Sequence, residues 1–217
     1  MLTPDFFTLA QQCAPQVSAL TMAAIVRTES GFNPYAIGVV HGRLVRQPQI
    51  EAEAVVTAHA LAAGGWNFSV GLAQVNRANW SAYGLDEQNA FEPCRSLAAG
   101  AAILQGCFES ARRAQADTRH DPQSALRASL SCYASGNFST GYRTGYVQRV
   151  VDSARTPVPA PTAVVVPSIA PIPVVPFDSD VSARPVRSHP ARHPLSDPVD
   201  TSPTGPGGDA GRSAVVF

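Results

Sequence analysis

The sequence contains no lysine; its 16 basic residues are all arginine, and 16 acids balance them. A formal charge of zero argues against a dedicated nucleic-acid binder, which would need a basic face to neutralise phosphates. The arginine-only usage is read as compositional bias without functional content. No CxxC or CxxH pair occurs among the four cysteines, so zinc-type spacing is missing. His41 and His59 stand apart from any Cys or Asp cluster, and His120, His189 and His193 fall in loop or tail, so neither a metal nor a cofactor is expected. Ser30 and Ser135 lack the neighbouring His pattern of a Ser-His-Asp triad. No apolar run is long enough to span a membrane. Met1-Leu2-Thr3-Pro4-Asp5 offers no basic region before an apolar stretch, so no export signal is legible.

What is present is a chain of 217 residues, 45% apolar, enough for one packed domain with an appendage. Composition changes near Arg155. Beyond it Pro157, Pro159, Pro161, Pro167, Pro171, Pro173 and Pro176 follow in close succession. Each proline removes a backbone donor and fixes φ, so neither a helix nor a central strand persists. The expectation is a folded domain over residues 1–154 and a Pro-rich tail over 155–217, polyproline-like at first and then disordered. The apolar end Ala214-Val215-Val216-Phe217 is suited to adding a strand to a partner's sheet edge, or else it is simply solvated.

Four cysteines, Cys13, Cys94, Cys107 and Cys132, point to two disulfides and an oxidising compartment. The alternative is four buried thiols acting as small apolar residues. If 96–110 is one helix, Cys94 and Cys107 lie ~20 Å apart at ~1.5 Å per residue. A disulfide needs Cα atoms within ~7 Å, so that pair is excluded. Two pairings stay open: Cys13–Cys94 with Cys107–Cys132, or Cys13–Cys107 with Cys94–Cys132.

The domain reads mainly helical. Thr3 caps a first helix with Pro4 at its first position, running to about Cys13. Ser18 or Thr21 opens a second helix through Glu29, closed by Gly31. Residues 35–47 read as two short strands around a His41-Gly42 turn. Residues 49–63 read as a helix ending at Gly64-Gly65, and helices are expected near 76–82, 95–115, 122–134 and 140–153. The fold class is therefore α+β, mainly α, with one small β-hairpin.

Met22, Ile25, Val26 and Glu29 fall at i, i+3, i+4 and i+7, one stripe on one helix face. This puts Glu29 among apolar neighbours and at the helix C-terminal end. Desolvation there raises a carboxyl pKa, and the negative end of the helix dipole acts the same way. A carboxylic acid that stays protonated near neutrality is what general acid catalysis at a glycosidic oxygen needs. The plain alternative is a helix-end Glu with its head in water. Glu51 and Glu53, two apart on the next helix, are read as solvated surface. Trp66 and Trp80 suit either sugar stacking or core packing.

Four blocks accompany this acid in order: Glu29-Ser30-Gly31-Phe32-Asn33-Pro34, then Ser69-Val70-Gly71-Leu72-Ala73-Gln74-Val75-Asn76, then Ser131-Cys132-Tyr133-Ala134-Ser135-Gly136-Asn137, then Gly145-Tyr146-Val147-Gln148-Arg149-Val150. Together they resemble the lytic transglycosylases that share the goose-type lysozyme fold, and within them the transglycosylase subunit of bacterial type IV secretion systems. The resemblance covers roughly residues 5–153.

The resemblance implies a lysozyme-like domain, peptidoglycan glycan strands as substrate and other secretion-system subunits as partners, with the tail available to dock them. It implies a periplasmic location. Glu29 is implied as the acid that protonates the leaving glycosidic oxygen and then as the base toward the sugar's own 6-hydroxyl, which yields a 1,6-anhydro product. Ser30, Gly71, Leu72, Gln74, Asn76, Tyr133, Asn137 and Tyr146 are implied as substrate-binding or acid-orienting residues. The chain departs from the family at Ala73, where a methionine is usual, and at Ala134, where many members have asparagine. No second Asp or Glu lies in the blocks, so a two-carboxylate glycosidase mechanism is not expected, whereas an N-acetyl sugar can supply its own nucleophile. Two other functions fit the same blocks: a wall-binding assembly scaffold without catalysis, and a muramidase that uses water in place of the 6-hydroxyl.

Overall fold

The computed structural model describes residues 5–114, 121–157 and 171–176. By internal contacts the chain divides into two units, and every described residue falls in the first. The elements in order are α1 (Phe6–Cys13), α2 (Ala19–Ser30), β1 (Ile37–Val39), β2 (Gly42–Leu44), α3 (Glu51–Ala63), β3 (Phe68–Val70), β4 (Val75–Asn76), a 3-10 helix (Arg77–Tyr83), α4 (Pro93–Ala114), α5 (Pro122–Ser135), α6 (Thr140–Arg143), α7 (Tyr146–Ser153) and β5 (Val174–Pro176). The domain is mainly helical with a small antiparallel sheet, as the sequence predicts.

Most helix ends have local causes. Asp5 caps α1 by accepting from the Thr8 amide at 3.0 Å, whereas Thr3 and Pro4, read as its start, lie outside the described residues. Asp121 caps α5 through the amides of Gln123 and Ser124, with Pro122 in the first turn. Gly31 ends α2 at φ 59°, a left-handed conformation that glycine adopts without strain. The single helix expected over 140–153 is instead two, because Gly145 takes φ 72° between α6 and α7. That break makes Tyr146 the first residue of α7.

The expected hairpin over 35–47 needs correction. Both strands exist, but they do not pair with each other. β1 pairs with β3, and β3 pairs with β4, both antiparallel. β2 pairs with β5, so residues of the tail return to the domain. The alternation of Pro with Ile and Val there hid a strand, because a two-stranded edge tolerates proline where a central strand does not. Residues 158–170 and 177–217, with the expected disorder and the terminal apolar strand, lie outside the described residues.

The two disulfides are Cys13–Cys94, joining α1 to α4, and Cys107–Cys132, joining α4 to α5. This selects the first of the two open pairings. One buried cluster holds the sheet against α3 through Phe68, Val70, Leu61 and Trp80. A second joins α2, α4, α5 and α7 through Ile25, Leu104, Leu130 and Val147. A third joins α1, α2 and α4 through Ala10, Met22, Val26 and Leu97. Helix α2 belongs to both helical clusters, so its C-terminal end is fixed from two sides.

Glu53 is not solvated surface. It is fully buried, ion-paired with the Arg46 guanidinium, and also accepts the Gln49 amide at 3.1 Å. Only Glu51 is exposed. The Arg46 hydrogen bond holds the Glu53 carboxyl below the usual range, against the opposing effect of burial. Stability from this pair is therefore present above the ordinary carboxylate range and lost as pH falls through the lowered value. Arg46→Ala leaves a buried carboxylate without its cation. The expected result is a thermal midpoint several degrees lower at neutral pH, with the difference shrinking in acid, read by circular dichroism melts.

Candidate active site

The site is built where the end of α2 meets the turn between β3 and β4 and the start of α7. Met22, Ile25 and Val26 are buried on the face that carries Glu29, as the stripe predicts. Glu29 itself is half-buried: protein surrounds its carboxyl, yet the residue retains access to solvent. Burial raises its pKa from 4.5 to about 8, while the Tyr146 hydrogen bond and then the Arg149 charge pull it back less strongly. The carboxyl thus holds its proton at neutral pH.

Tyr146 donates its phenol hydrogen to Glu29 Oε1 at 2.5 Å. Burial, and next the neighbouring Glu29 charge, push the Tyr146 phenol well above its ordinary value, so it remains a donor. Arg149, one turn on, lies over the Tyr146 ring at 5.8 Å from its centroid. Tyr133 is also buried and kept protonated, first by burial and then by the Glu29 charge. Its hydroxyl donates to the Ala73 carbonyl at 2.5 Å. One tyrosine therefore orients the acid, and the other fixes the turn beside it.

That turn is held at several points. Ser30 Oγ lies 3.0 Å from the Val26 carbonyl and 2.9 Å from the Leu72 carbonyl, tying α2 to the turn. The Ala73 amide donates to Ser96 Oγ on α4 at 3.1 Å. Gln74, at φ 47°, donates its side-chain amide to the carbonyls of Ala36 at 2.9 Å and Gly71 at 3.0 Å. Its Oε1 faces Gly38, where an added Cβ would come within 2.8 Å. Gly71, at φ 79°, leaves no room for a side chain, since a Cβ would meet Ser96 Oγ at 2.7 Å and the Ala90 carbonyl at 2.9 Å. Its glycine thus serves close packing on α4. Leu72 is buried in the third cluster.

Ala73, the departure from methionine, is fully buried against α4. A Cβ on Gly100 would come within 2.5 Å of the Ala73 Cβ and 3.1 Å of the Tyr133 hydroxyl. The small pair Ala73 and Gly100 sets how closely the turn approaches α4. Sequence reasoning missed Gly100 and Ser96, which sit within a long helix without a local signal. It also passed over Arg149, whose placement three residues after Tyr146 was available as a clue.

Two expected substrate contacts also make bonds within the protein. Asn76 is buried, caps the 3-10 helix through the Ala78 amide, and donates to Asn67 Oδ1 at 2.7 Å. Asn137 is exposed and closes the turn before α6, accepting from the amides of Ser139 at 3.1 Å and Thr140 at 2.8 Å. Trp80 is core, donating to the Val75 carbonyl at 3.1 Å and packing edge-on against Phe68. His59 pairs with Glu87, and among the described residues no group of three or more His, Cys, Asp or Glu is placed to hold a metal.

A family model described as the transglycosylase SLT domain matches residues 7–151. The type IV secretion system protein virB1 of Brucella abortus biovar 1 (strain 9-941) is 56% identical over 154 residues, covering 69% of this chain and 63% of that protein. The same-named protein of Brucella suis biovar 1 (strain 1330) shares 56% over 154 residues. Protein virB1 of Agrobacterium fabrum (strain C58 / ATCC 33970) is 37% identical over 161 residues, 73% of this chain and 63% of that protein. The matched region thus spans 63% of the length of these curated relatives. No solved structure matches.

Proposed function

Because the chain belongs to the transglycosylase SLT domain family, we propose that it is a peptidoglycan lytic transglycosylase cutting the β-1,4 bond between N-acetylmuramic acid and N-acetylglucosamine. The observation that carries this reading is a single carboxyl, Glu29, protonated at neutral pH and fixed by Tyr146. The protonated carboxyl donates its hydrogen to the glycosidic oxygen as the bond to the anomeric carbon breaks. The sugar's acetamido oxygen stabilises that carbon, as in substrate-assisted glycosidases. The resulting carboxylate then takes the proton of the 6-hydroxyl. The 6-oxygen closes on the anomeric carbon to give a 1,6-anhydro sugar, and Glu29 is protonated again.

In this scheme Tyr146 holds Oε1 and leaves the other oxygen for proton transfer. Gln74 holds the turn through its side-chain amide nitrogen, and its Oε1 is assigned to substrate. Leu72 and Gly71 shape the turn, and Ser30 and Tyr133 position it. Asn137, exposed beside the site's helix α5, is assigned to substrate as well, whereas buried Asn76 supports the turn through its own hydrogen bonds.

We further propose that cleavage opens the wall locally for a type IV secretion apparatus, in the periplasm. The virB1 names of the relatives and the two disulfides, which belong to an oxidising compartment, support this. Among the described residues no helix is long and apolar enough to cross a membrane.

The test is digestion of purified sacculi by the full chain, with mass spectrometry of the fragments. Muropeptides ending in anhydro-muramic acid are expected. Reducing ends would identify a hydrolase, and no fragments would leave a wall-binding scaffold. A second expected outcome concerns Tyr146→Phe. Removing the phenol removes an influence that lowers the Glu29 pKa, so the alkaline limb of the pH–rate profile moves above its wild-type position. The maximal rate falls by roughly 10-fold through lost orientation. An unchanged alkaline limb would separate Tyr146 from the acid.

A further inference from the structure

The family match ends at residue 151, yet residues 171–176 are built into the domain. β5 runs antiparallel to β2 with Leu44 opposite Val174, Arg43 opposite Val175 and Gly42 opposite Pro176. β2 pairs with no other strand among the described residues. Without β5 its edge would present unpaired backbone groups, the usual acceptor for an added strand.

The acceptor is shaped for this occupant. The Val45 amide donates to the Pro173 carbonyl at 3.0 Å. The Ile172 amide donates to Thr57 Oγ1 at 3.2 Å, across a separation of 115 residues. Ile172 is buried in the cluster that holds Leu61 and Phe68, and Val174 packs against the same cluster beside half-buried Trp66. Gly42 makes the fit possible: a Cβ there would meet Val174 Cγ1 at 2.8 Å and the Trp66 ring at 3.4 Å. A concavity lined by Thr57, Ala60, Leu61 and Trp66 remains against the segment.

The docking is also slight. Among residues 171–175 Ile172 is the one buried side chain and Val174 is half-buried, while Pro171, Pro173 and Val175 are exposed. Proline supplies no amide, and the extended conformation it favours is already that of a strand. A short, pre-extended segment held by one buried side chain and a few backbone bonds has the character of a ligand.

We propose that the groove formed by β2, Thr57, Leu61 and Trp66 is a strand-docking site whose occupant is the chain's own residues 171–176, held as a releasable latch. The latch bears on the site already described only indirectly. Gln47, three residues past β2, bonds both backbone groups of Ile37 at 2.8 and 3.0 Å, and Ala36 beside it holds Gln74. The proposal itself does not depend on the catalytic reading.

The test uses the full chain, hydrogen exchange and a fluorescent synthetic peptide spanning residues 169–177. In Ile172→Asp the latch is expected to leave. Exchange of the Val45 amide rises at least tenfold, amides of α2 and α4 are unchanged, and Trp66 emission shifts to the red. The peptide then binds Ile172→Asp while the wild-type chain, its groove filled, refuses it. Gly42→Val blocks the groove from the acceptor side, so it loses Val45 protection and also refuses the peptide. If Ile172→Asp does not fold, Val174→Asp makes the same test at a half-buried position. Val45 protection unaltered in the latch variants, or peptide binding equal in all chains, would overturn the proposal.

Discussion

Glu29→Gln is expected to leave a folded protein whose cleavage of peptidoglycan falls by about 10³-fold, within the usual contribution of a positioned general acid. Glutamine keeps the shape and still accepts the Tyr146 hydroxyl, so only the transferable proton is lost. The same variant carries a stability signature. In the unfolded chain the glutamate titrates near 4.5, and in the fold near 8. Below the first value both states are protonated and the residue costs nothing. Between the two the unfolded chain releases its proton while the fold retains it, so stability declines as pH rises. Above about 8 the fold carries a desolvated carboxylate and the penalty is complete. Its full size is on the order of 5 kcal/mol. Glu29→Gln should therefore melt with the wild type near pH 4 and roughly 5 °C or more above it near pH 9. A variant that loses activity and gains stability in alkali marks a residue kept for chemistry at the expense of the fold.

Removing Cys13–Cys94 is expected to give the largest change in stability. The bridge closes a loop across a separation of 81 residues, and Cys107–Cys132 one of 25. On the chain-entropy account these contribute roughly 4.5 and 3.5 kcal/mol. A domain of this kind is typically stable by only ~5–15 kcal/mol. Cys13→Ala with Cys94→Ala should lower the thermal midpoint by more than roughly 10 °C. Helix α1 rests on α2 and α4 through buried Ala10 and half-buried Phe6 and Leu9, contacts that close only once the chain has folded, whereas the bridge also restricts the unfolded chain. A midpoint within a degree or two of wild type would show that the packing alone holds α1.

How much of this was legible beforehand depends on the range of the interaction. The helix ends follow from Asp121-Pro122 and Gly31, which act within one turn. Glu29 was legible because its environment is written in the spacing of Met22, Ile25 and Val26. The pairing of β2 with β5 was not, because partner choice is settled far along the chain and proline masked the strand. Glu53 read as surface because its cation comes from a loop, not from its own helix. Gly145 concealed a break that only its left-handed φ reveals, and that break sets Tyr146 at the start of α7. Asn76 stood in a motif position, yet a short amide side chain serves a cap as readily as a sugar. The close contact of Ala73 with Gly100 has no one-dimensional trace at all.

The most direct measurement is a pH titration of the Glu29 side-chain carboxyl by carbon-13 NMR in the full chain, assigned by the signal that vanishes in Glu29→Gln. The predicted midpoint is about 8, with the proton retained through neutrality. A midpoint near 4.5, the value of an unhindered glutamate, would contradict the account.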